Sequence, residues 1–169
     1  EGLLDRSGFS KAFGAITKLC RVTTVESKQM VENITGAVID KNTNKRDYQF
    51  VAPKDMLIVK SVKPAVTIEY VNKADILKDV TDLEKTIDTV RDLAKDVSGH
   101  VKRALETVDS DLKNPGTKAG MDRLKFKRTA LISFQKAVTV SFKDFIKILS
   151  TYYKVLVTVS RGKEIKSAK

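Results

Sequence analysis

The chain has 169 residues, of which 41% are hydrophobic and 31% are charged, and its net charge at pH 7 is +11. This length suits one domain with a buried core, and the composition excludes a disordered tail. Cys20 is the single cysteine and His100 the single histidine, so the sequence excludes an intrachain disulfide and a Cys/His zinc cluster.

Targeting and membrane signals are weak. No signal-type apolar run opens the chain, and Lys143, Asp144, Lys147 and Lys154 interrupt its most apolar stretch, 137–160. We therefore expect no membrane span. The chain begins with Glu1 and not Met, so we expect that upstream residues were removed, by natural processing or during preparation. A location inside cells or within a virus particle is favoured.

An N-terminal helix is predicted within residues 1–35, from about residue 10. Gly36 suits a C-terminal cap, and the poor helix formers 23–25 favour a kink or break in the middle. One helical face collects the apolar side chains Phe9, Phe13, Ile16, Cys20, Met30 and Ile34.

Residues 36–72 have a different pattern, typical of a small β insertion. A hairpin is predicted over 38–51 with a polar turn at 42–45, followed by extended runs at 56–62 and 66–71. Lys63-Pro64 separates these two runs, because proline lacks the backbone donor that a central strand needs. We expect a small antiparallel sheet.

The clearest pattern begins at Ile76, where apolar residues recur in alternating steps of four and three, the spacing of a coiled-coil seam. It predicts a helix of about 40 residues that Asn114-Pro115-Gly116 ends. The row contains Ile76, Val80, Leu83, Ile87, Val90, Ala94, Val97 and Val101, and after one repeated step of four it continues through Leu105, Val108 and Leu112.

A second heptad row predicts a helix that Thr117 caps and Gly162 ends. Arg128 and Gln135 occupy seam positions and interrupt this row. Because a short connection joins two helices of matched length, residues 73–162 should form an antiparallel hairpin, with 163–169 as a basic tail. The row contains Leu124, Leu131, Val138, Phe142, Phe145, Leu149, Tyr152, Leu156 and Val159.

The predicted fold class is mainly α (α+β): a long antiparallel helical hairpin with an N-terminal helix and a small inserted antiparallel β-sheet. The last helix is apolar beyond its seam, which predicts an interface with a protein partner or a second copy of the chain. The residues assigned to this interface are Ile132, Phe134, Ile146 and Tyr153.

No catalytic, metal or cofactor site is predicted. His100 and Cys20 are each alone, and no Gly-rich phosphate loop follows a strand. Asp88, Asp92 and Asp96 recur every four residues, but Arg91 and Lys95 interleave with them, which favours a charged helix surface over a cation site.

Positive charge is concentrated near the end of the chain, where residues 118–169 carry thirteen Lys/Arg against three Asp/Glu. One group, the basic tip, lies at the start of the last helix and comprises Lys118, Arg123, Lys125, Lys127 and Arg128. A second group, the outer row, is expected opposite the seam and comprises Lys136, Lys143, Lys147, Lys154 and Arg161. Either group could contact phosphates, or could instead be solvated or paired with nearby carboxylates.

These features favour a non-enzymatic structural or assembly protein, such as a processed component of a virus particle, with the hairpin as scaffold and contact surface. The alternative is sequence-independent binding of nucleic acid through the basic last helix. Phe126 is the one aromatic residue expected beside exposed cations, so a stacking platform for single strands has little support.

Overall fold

Three helices dominate the computed structural model, which describes residues 3–37, 67–69 and 73–168. Helix α1 spans Arg6–Thr35, α2 spans Lys73–Leu112 and α3 spans Lys118–Ala168. The mainly-α prediction is therefore confirmed, and α2 has the predicted length of 40 residues.

The predicted antiparallel sheet is not supported by the described residues. Strand β1, Leu3–Asp5, pairs in parallel with strand β2, Thr67–Glu69. Strand β2 lies within one predicted extended run, but each strand comes shortly before a helix instead of belonging to a hairpin. The predictions for 38–66 lie outside the described residues.

The chain divides into two compact units. The first unit comprises Glu1–Arg21, Pro53–Asp92 and Phe142–Lys169, and the second comprises Val22–Ala52 and Leu93–Ser141. The core of the first unit includes Ile16, Cys20, Ile76, Leu83, Phe145, Leu149 and Tyr152, and that of the second includes Val31, Ile34, Val97, Val101, Leu131, Phe134 and Val138.

Seven of the eleven residues in the heptad row of α2 are buried, and the other four, Val80, Ala94, Leu105 and Leu112, are half-buried. Ile76, Leu83, Ile87 and Val90 are buried in the first unit. In the second unit the buried members of the row are Val97, Val101 and Val108. The seam-like spacing thus identifies the packed face of this helix because residues three and four apart lie on one side.

The seam of α3 follows a different register from the predicted one in the second unit. Leu131, Phe134 and Val138 are buried, whereas Gln135 is only half-buried. The buried row steps from Leu131 to Phe134 and then to Val138, so it does not pass through the polar Gln135. One turn earlier the same row passes through Lys127 and not Arg128.

Helix α1 is uninterrupted, so the predicted break at 23–25 is wrong. Thr23 and Thr24 are buried, whereas Val25 is 70% exposed. A buried threonine is compatible with a helix because its hydroxyl can bond a carbonyl of the preceding turn. Ser27 is also buried, but its hydroxyl has no hydrogen-bond partner among the described residues.

Helix directions in the second unit follow from two contacts and one turn. Lys28 pairs with Asp96, and Glu32 contacts His100 one turn later on both helices, so α1 and α2 run parallel. Residues 113–117 connect α2 directly to α3, which therefore runs antiparallel to α2. This confirms the predicted helical hairpin.

The connection between α2 and α3 uses the expected turn residues. Gly116 has a φ of 78°, which glycine adopts without strain. Thr117 is the predicted N-cap: its Oγ1 accepts a hydrogen bond of 3.0 Å from the backbone N–H of Gly120. At the other end, α3 continues past Gly162 to Ala168, so the predicted cap at Gly162 is wrong. A single glycine costs a helix only about 1 kcal/mol, so Gly162 alone does not end it.

Gly120 leads to a test of this turn. A Cβ at position 120 would lie 2.6 Å from the Pro115 carbonyl oxygen, whereas a Cβ on Gly14, within α1, would meet nothing within 4 Å. We expect Gly120→Ala to lower the free energy of unfolding by about 1–3 kcal/mol. The matched control, Gly14→Ala, should raise it by about 1 kcal/mol. Urea unfolding followed by circular dichroism measures both, and equal stabilisation would show that the turn does not close on α3 as described.

Candidate functional site

The basic tip is partly used inside the protein. Lys118, Arg123 and Lys125 are exposed, whereas Lys127 is half-buried. The Nζ of Lys127 donates a hydrogen bond of 2.8 Å to the carbonyl oxygen of Thr35. Thr35 is the last residue of α1, a helix without a basic residue in its last turn. Lys127 therefore supplies from α3 the cation that stabilises a helix C-terminus.

Arg128 is also engaged within the second unit. Its Nε donates a hydrogen bond of 2.9 Å to Oδ1 of Asp109, and both side chains are about half exposed. An ion pair this exposed contributes about 0.2–1 kcal/mol. It nevertheless offsets the charge of Arg128, so two of the five tip cations face carbonyl or carboxylate oxygens of their own chain.

The outer row keeps its charges available. Its five members, Lys136, Lys143, Lys147, Lys154 and Arg161, are all exposed. Among the described residues, no ion pair or hydrogen bond engages their charged groups. Lys136 belongs to the second unit and the other four to the first. The structure therefore distinguishes the row from Lys127 and Arg128 of the tip, which the sequence could not do.

The four residues assigned to a protein interface have different environments. Phe134 is fully buried in the core of the second unit, which removes it from any surface that a partner could contact. Ile132, Ile146 and Tyr153 are half-buried. They remain predicted contacts, although part of each side chain is already covered by the chain itself.

Tyr153 is tied to α2 within the first unit. Its hydroxyl donates a hydrogen bond of 2.9 Å to Oε1 of Glu84. This bond raises the pKa of Tyr153, as do the charge of Glu84 and a smaller effect of burial, while the charge of Arg161 opposes them. The neutral phenol is thus favoured, and it links the two helices of the hairpin.

His100 lies in a shallow groove of about 280 Å³ between α1 and α2, lined also by Val31, Thr35, Arg103 and Thr107. Its Nε2 lies 2.8 Å from Oε1 of Glu32, so the ring nitrogen donates to the carboxylate. A histidine oriented by a carboxylate is one part of a nucleophilic site.

A nucleophile for His100 is not provided by the hydroxyls of this groove. Thr35 donates its hydroxyl hydrogen to the carbonyl oxygen of Glu32, at 3.1 Å. Thr107 donates to the carbonyl oxygen of Arg103, also at 3.1 Å. Both hydroxyls are directed to their own helices, so the Glu32–His100 contact acts as a link between α1 and α2.

Two of the three aspartates spaced four apart on α2 have separate partners. Asp96 pairs with Lys28 in the second unit, and Asp88 lies 3.7 Å from Arg91 in the first. Within the described part of the chain, no group of three His, Cys, Asp or Glu side chains is arranged to hold a metal ion.

Cys20 is buried in the first unit as a core residue. Burial raises the pKa of its thiol from 9.0 to about 12, and the charge of Arg21 lowers it to a smaller extent. At neutral pH the thiolate that attacks electrophiles or binds metals is therefore scarce.

No protein-family model, curated protein or solved structure matches this chain. None of the described helices is apolar over a long enough stretch to cross a membrane.

The contacts of Glu32, Thr35 and Glu84 were not predicted from the sequence. Heptad spacing identifies which face of each helix is buried, but it does not tell which turn of one helix meets which turn of another. A single sequence contains no signal for these cross-helix pairs.

Proposed function

We propose that this chain is a non-enzymatic structural protein, in which packed helices form a scaffold and exposed helix faces contact other components of a larger assembly. The proposal is supported by the side chains that could serve in catalysis, because they instead connect helices or pack in a core. His100 joins α2 to α1 through Glu32, and Tyr153 joins α3 to α2 through Glu84. Cys20 fills the core of the first unit.

The proposed protein contact surface is the half-buried apolar flank of α3, represented by Ile132 in the second unit and, separately, by Ile146 and Tyr153 in the first. Tyr153 contacts α2 on this flank, and Ile146 lies seven residues before it, on the same helical face. Side chains that are only partly covered by their own chain can bury their remaining apolar surface against a partner. A second copy of the chain is the simplest partner to test.

The test compares two adjacent positions of α3 in light scattering. We expect the wild type to have a mean mass above that of one chain, and Ile132→Asp to lower it, because a charge on the flank opposes association. Ser133→Asp, at an exposed position, should leave the mass unchanged. Circular dichroism checks that both variants fold. A wild type that stays monomeric at high concentration, or equal masses for both variants, would contradict self-association through this flank.

The second candidate function is sequence-independent association with nucleic acid. The exposed charges of the outer row favour it, because exposed cations that pair with no carboxylate in the described part of the chain can replace the counterions of a phosphate backbone. Light scattering of the protein with and without added DNA separates the two functions, since mixed complexes form in the second case.

A further inference from the structure

Four members of the outer row form a continuous surface within the first unit. Lys143, Lys147, Lys154 and Arg161 follow one another in steps of four, seven and seven residues, and all are exposed. These steps place them on one side of α3, opposite the buried Phe142, Phe145 and Leu149. They extend over about 27 Å at 1.5 Å per residue. We call these four residues the cationic face.

Among the described side chains, no carboxylate forms an ion pair with the cationic face. Asp144 is the one carboxylate in the sequence between 143 and 161, and it is half-buried with an interaction of its own. On α2, by contrast, seven Lys/Arg stand among ten Asp/Glu, so exposed lysines there lie in a negative field. The cationic face is therefore a distinct source of positive potential, whereas the exposed lysines of α2 are not.

We propose that the cationic face binds duplex nucleic acid through its phosphate backbone, without reading the base sequence. This inference rests on the second candidate function and assigns it to particular residues. It also excludes Lys127 and Arg128 of the basic tip from binding, since those two cations are held by Thr35 and Asp109.

Charge density favours a duplex over an acidic protein as the partner. A duplex carries one negative charge per about 1.7 Å of its axis, so about 16 phosphates lie alongside the 27 Å face. The cations lie about 6 and 10.5 Å apart along the helix. Because phosphates recur more closely than this along a duplex, each cation can lie near one. An acidic peptide would need carboxylates placed to match this irregular spacing.

Two other anionic partners fit less well. Single strands are held largely by bases stacking on aromatic rings, and none of the described aromatic side chains of α3 is exposed. A membrane surface is bound by helices that insert an apolar face beside their cations. Large apolar side chains of α3 in this unit, including Phe142, Phe145, Leu149 and Tyr152, are already buried in the core, which leaves only half-buried apolar residues among the described ones for insertion.

The chemistry of the four side chains accounts for the absence of sequence readout. Three are lysines, which act as flexible point charges and contact phosphate from many directions. Contacts of this kind position a protein on a duplex without distinguishing base pairs.

The test measures binding of a fluorescent duplex of about 20 base pairs by anisotropy, over salt concentrations from about 50 to 200 mM. The test protein is the full-length variant K143Q/K147Q/K154Q/R161Q. If all four cations contact phosphates, the log–log salt dependence should flatten by about 3.6, and affinity at the lowest salt should fall about tenfold or more. Glutamine keeps the helix propensity of the outer positions, so the fold should be retained.

The matched control is K78Q/K85Q/K95Q/K102Q, which removes the same number of exposed charges from α2. It should change the salt dependence by less than about one unit. An equal loss in this control would overturn the proposal, because net charge and not a defined surface would then control binding. A third variant, K118Q/R123Q/K125Q, tests the exposed part of the basic tip. If this variant loses binding and the cationic-face variant does not, the inference fails while the nucleic-acid function stands.

The remaining outcomes concern the partner. A wild type that does not bind the duplex at about 50 mM salt, where electrostatic attraction is strong, overturns both the inference and the second candidate function. Poly-glutamate and anionic vesicles serve as competitors. Displacement of the duplex by either one at equal charge concentration would show that the surface accepts any polyanion, and would contradict assignment to nucleic acid.

Discussion

Replacing Leu149 with alanine should lower the free energy of unfolding by about 2–5 kcal/mol. Leu149 is fully buried in the first unit, as is Leu83 on α2. Truncation removes apolar area from the core and leaves a cavity that the surrounding helices fill only in part. The same loss is expected for Leu83→Ala, because both leucines belong to the heptad rows that form the hairpin.

Leu77→Ala is the matched control for both variants. Leu77 is 48% exposed on α2, so its truncation should change stability by at most about 0.5 kcal/mol. Urea unfolding with common slopes would measure the three variants together. Unchanged midpoints for Leu83→Ala and Leu149→Ala would show that these rows do not face a core.

Phe134→Ala should have an effect of about 3–5 kcal/mol in the second unit. Phe134 is fully buried, and the ring occupies the seam position that heptad spacing assigns to Gln135. Removing it opens a larger cavity than a leucine does, since aromatic side chains bury about 150–250 Å² each.

Gln135→Ala is the control that separates the two registers of α3. Gln135 is half-buried, and alanine has a higher helix propensity, so its replacement should change stability by no more than about 0.5 kcal/mol. A large loss for Gln135→Ala and a small one for Phe134→Ala would restore the register predicted from the sequence. Because the two positions are adjacent on one helix, the difference between the two variants reports only which of them is buried.

The hairpin was predictable because periodicity and turn chemistry are local. Most of the row from Ile76 to Val108 is buried where the spacing of apolar residues predicts, and Pro115, Gly116 and Thr117 form the turn and cap between the helices. Each of these signals lies within a few residues of the feature that it specifies.

The errors arose where a polar residue competed with the pattern. Low helix propensity predicted a break at Thr23 and Thr24, but both residues are buried within the continuous helix α1. Heptad spacing predicted Gln135 at the buried seam of α3, whereas Phe134 is the residue that is buried there. Propensity and periodicity are weak priors at such positions, and packing against other helices decides the outcome.

The candidate site was only partly predictable for a related reason. Composition located the positive charge on α3, but the sequence could not separate Lys127, which binds the Thr35 carbonyl, from the exposed Lys143. That distinction depends on the position of α1, a helix more than 90 residues earlier in the chain. Long-range contacts of this kind are set by the tertiary fold.

The order of charges along α1 and α2 in the second unit specifies how these parallel helices align. Lys28 and Glu32 face Asp96 and His100, one turn apart on each helix. If α1 slipped by one turn in one direction, Glu32 would face Asp96, and like charges would repel. A slip in the other direction would bring Lys28 to His100 and leave Glu32 beside Ala104. The first slip would also bring Lys28 to Asp92, so it would exchange one attractive pair for another while adding the repulsion, and the second would lose both attractive contacts. Two exposed pairs of modest strength thus disfavour the neighbouring registers and help to fix one alignment.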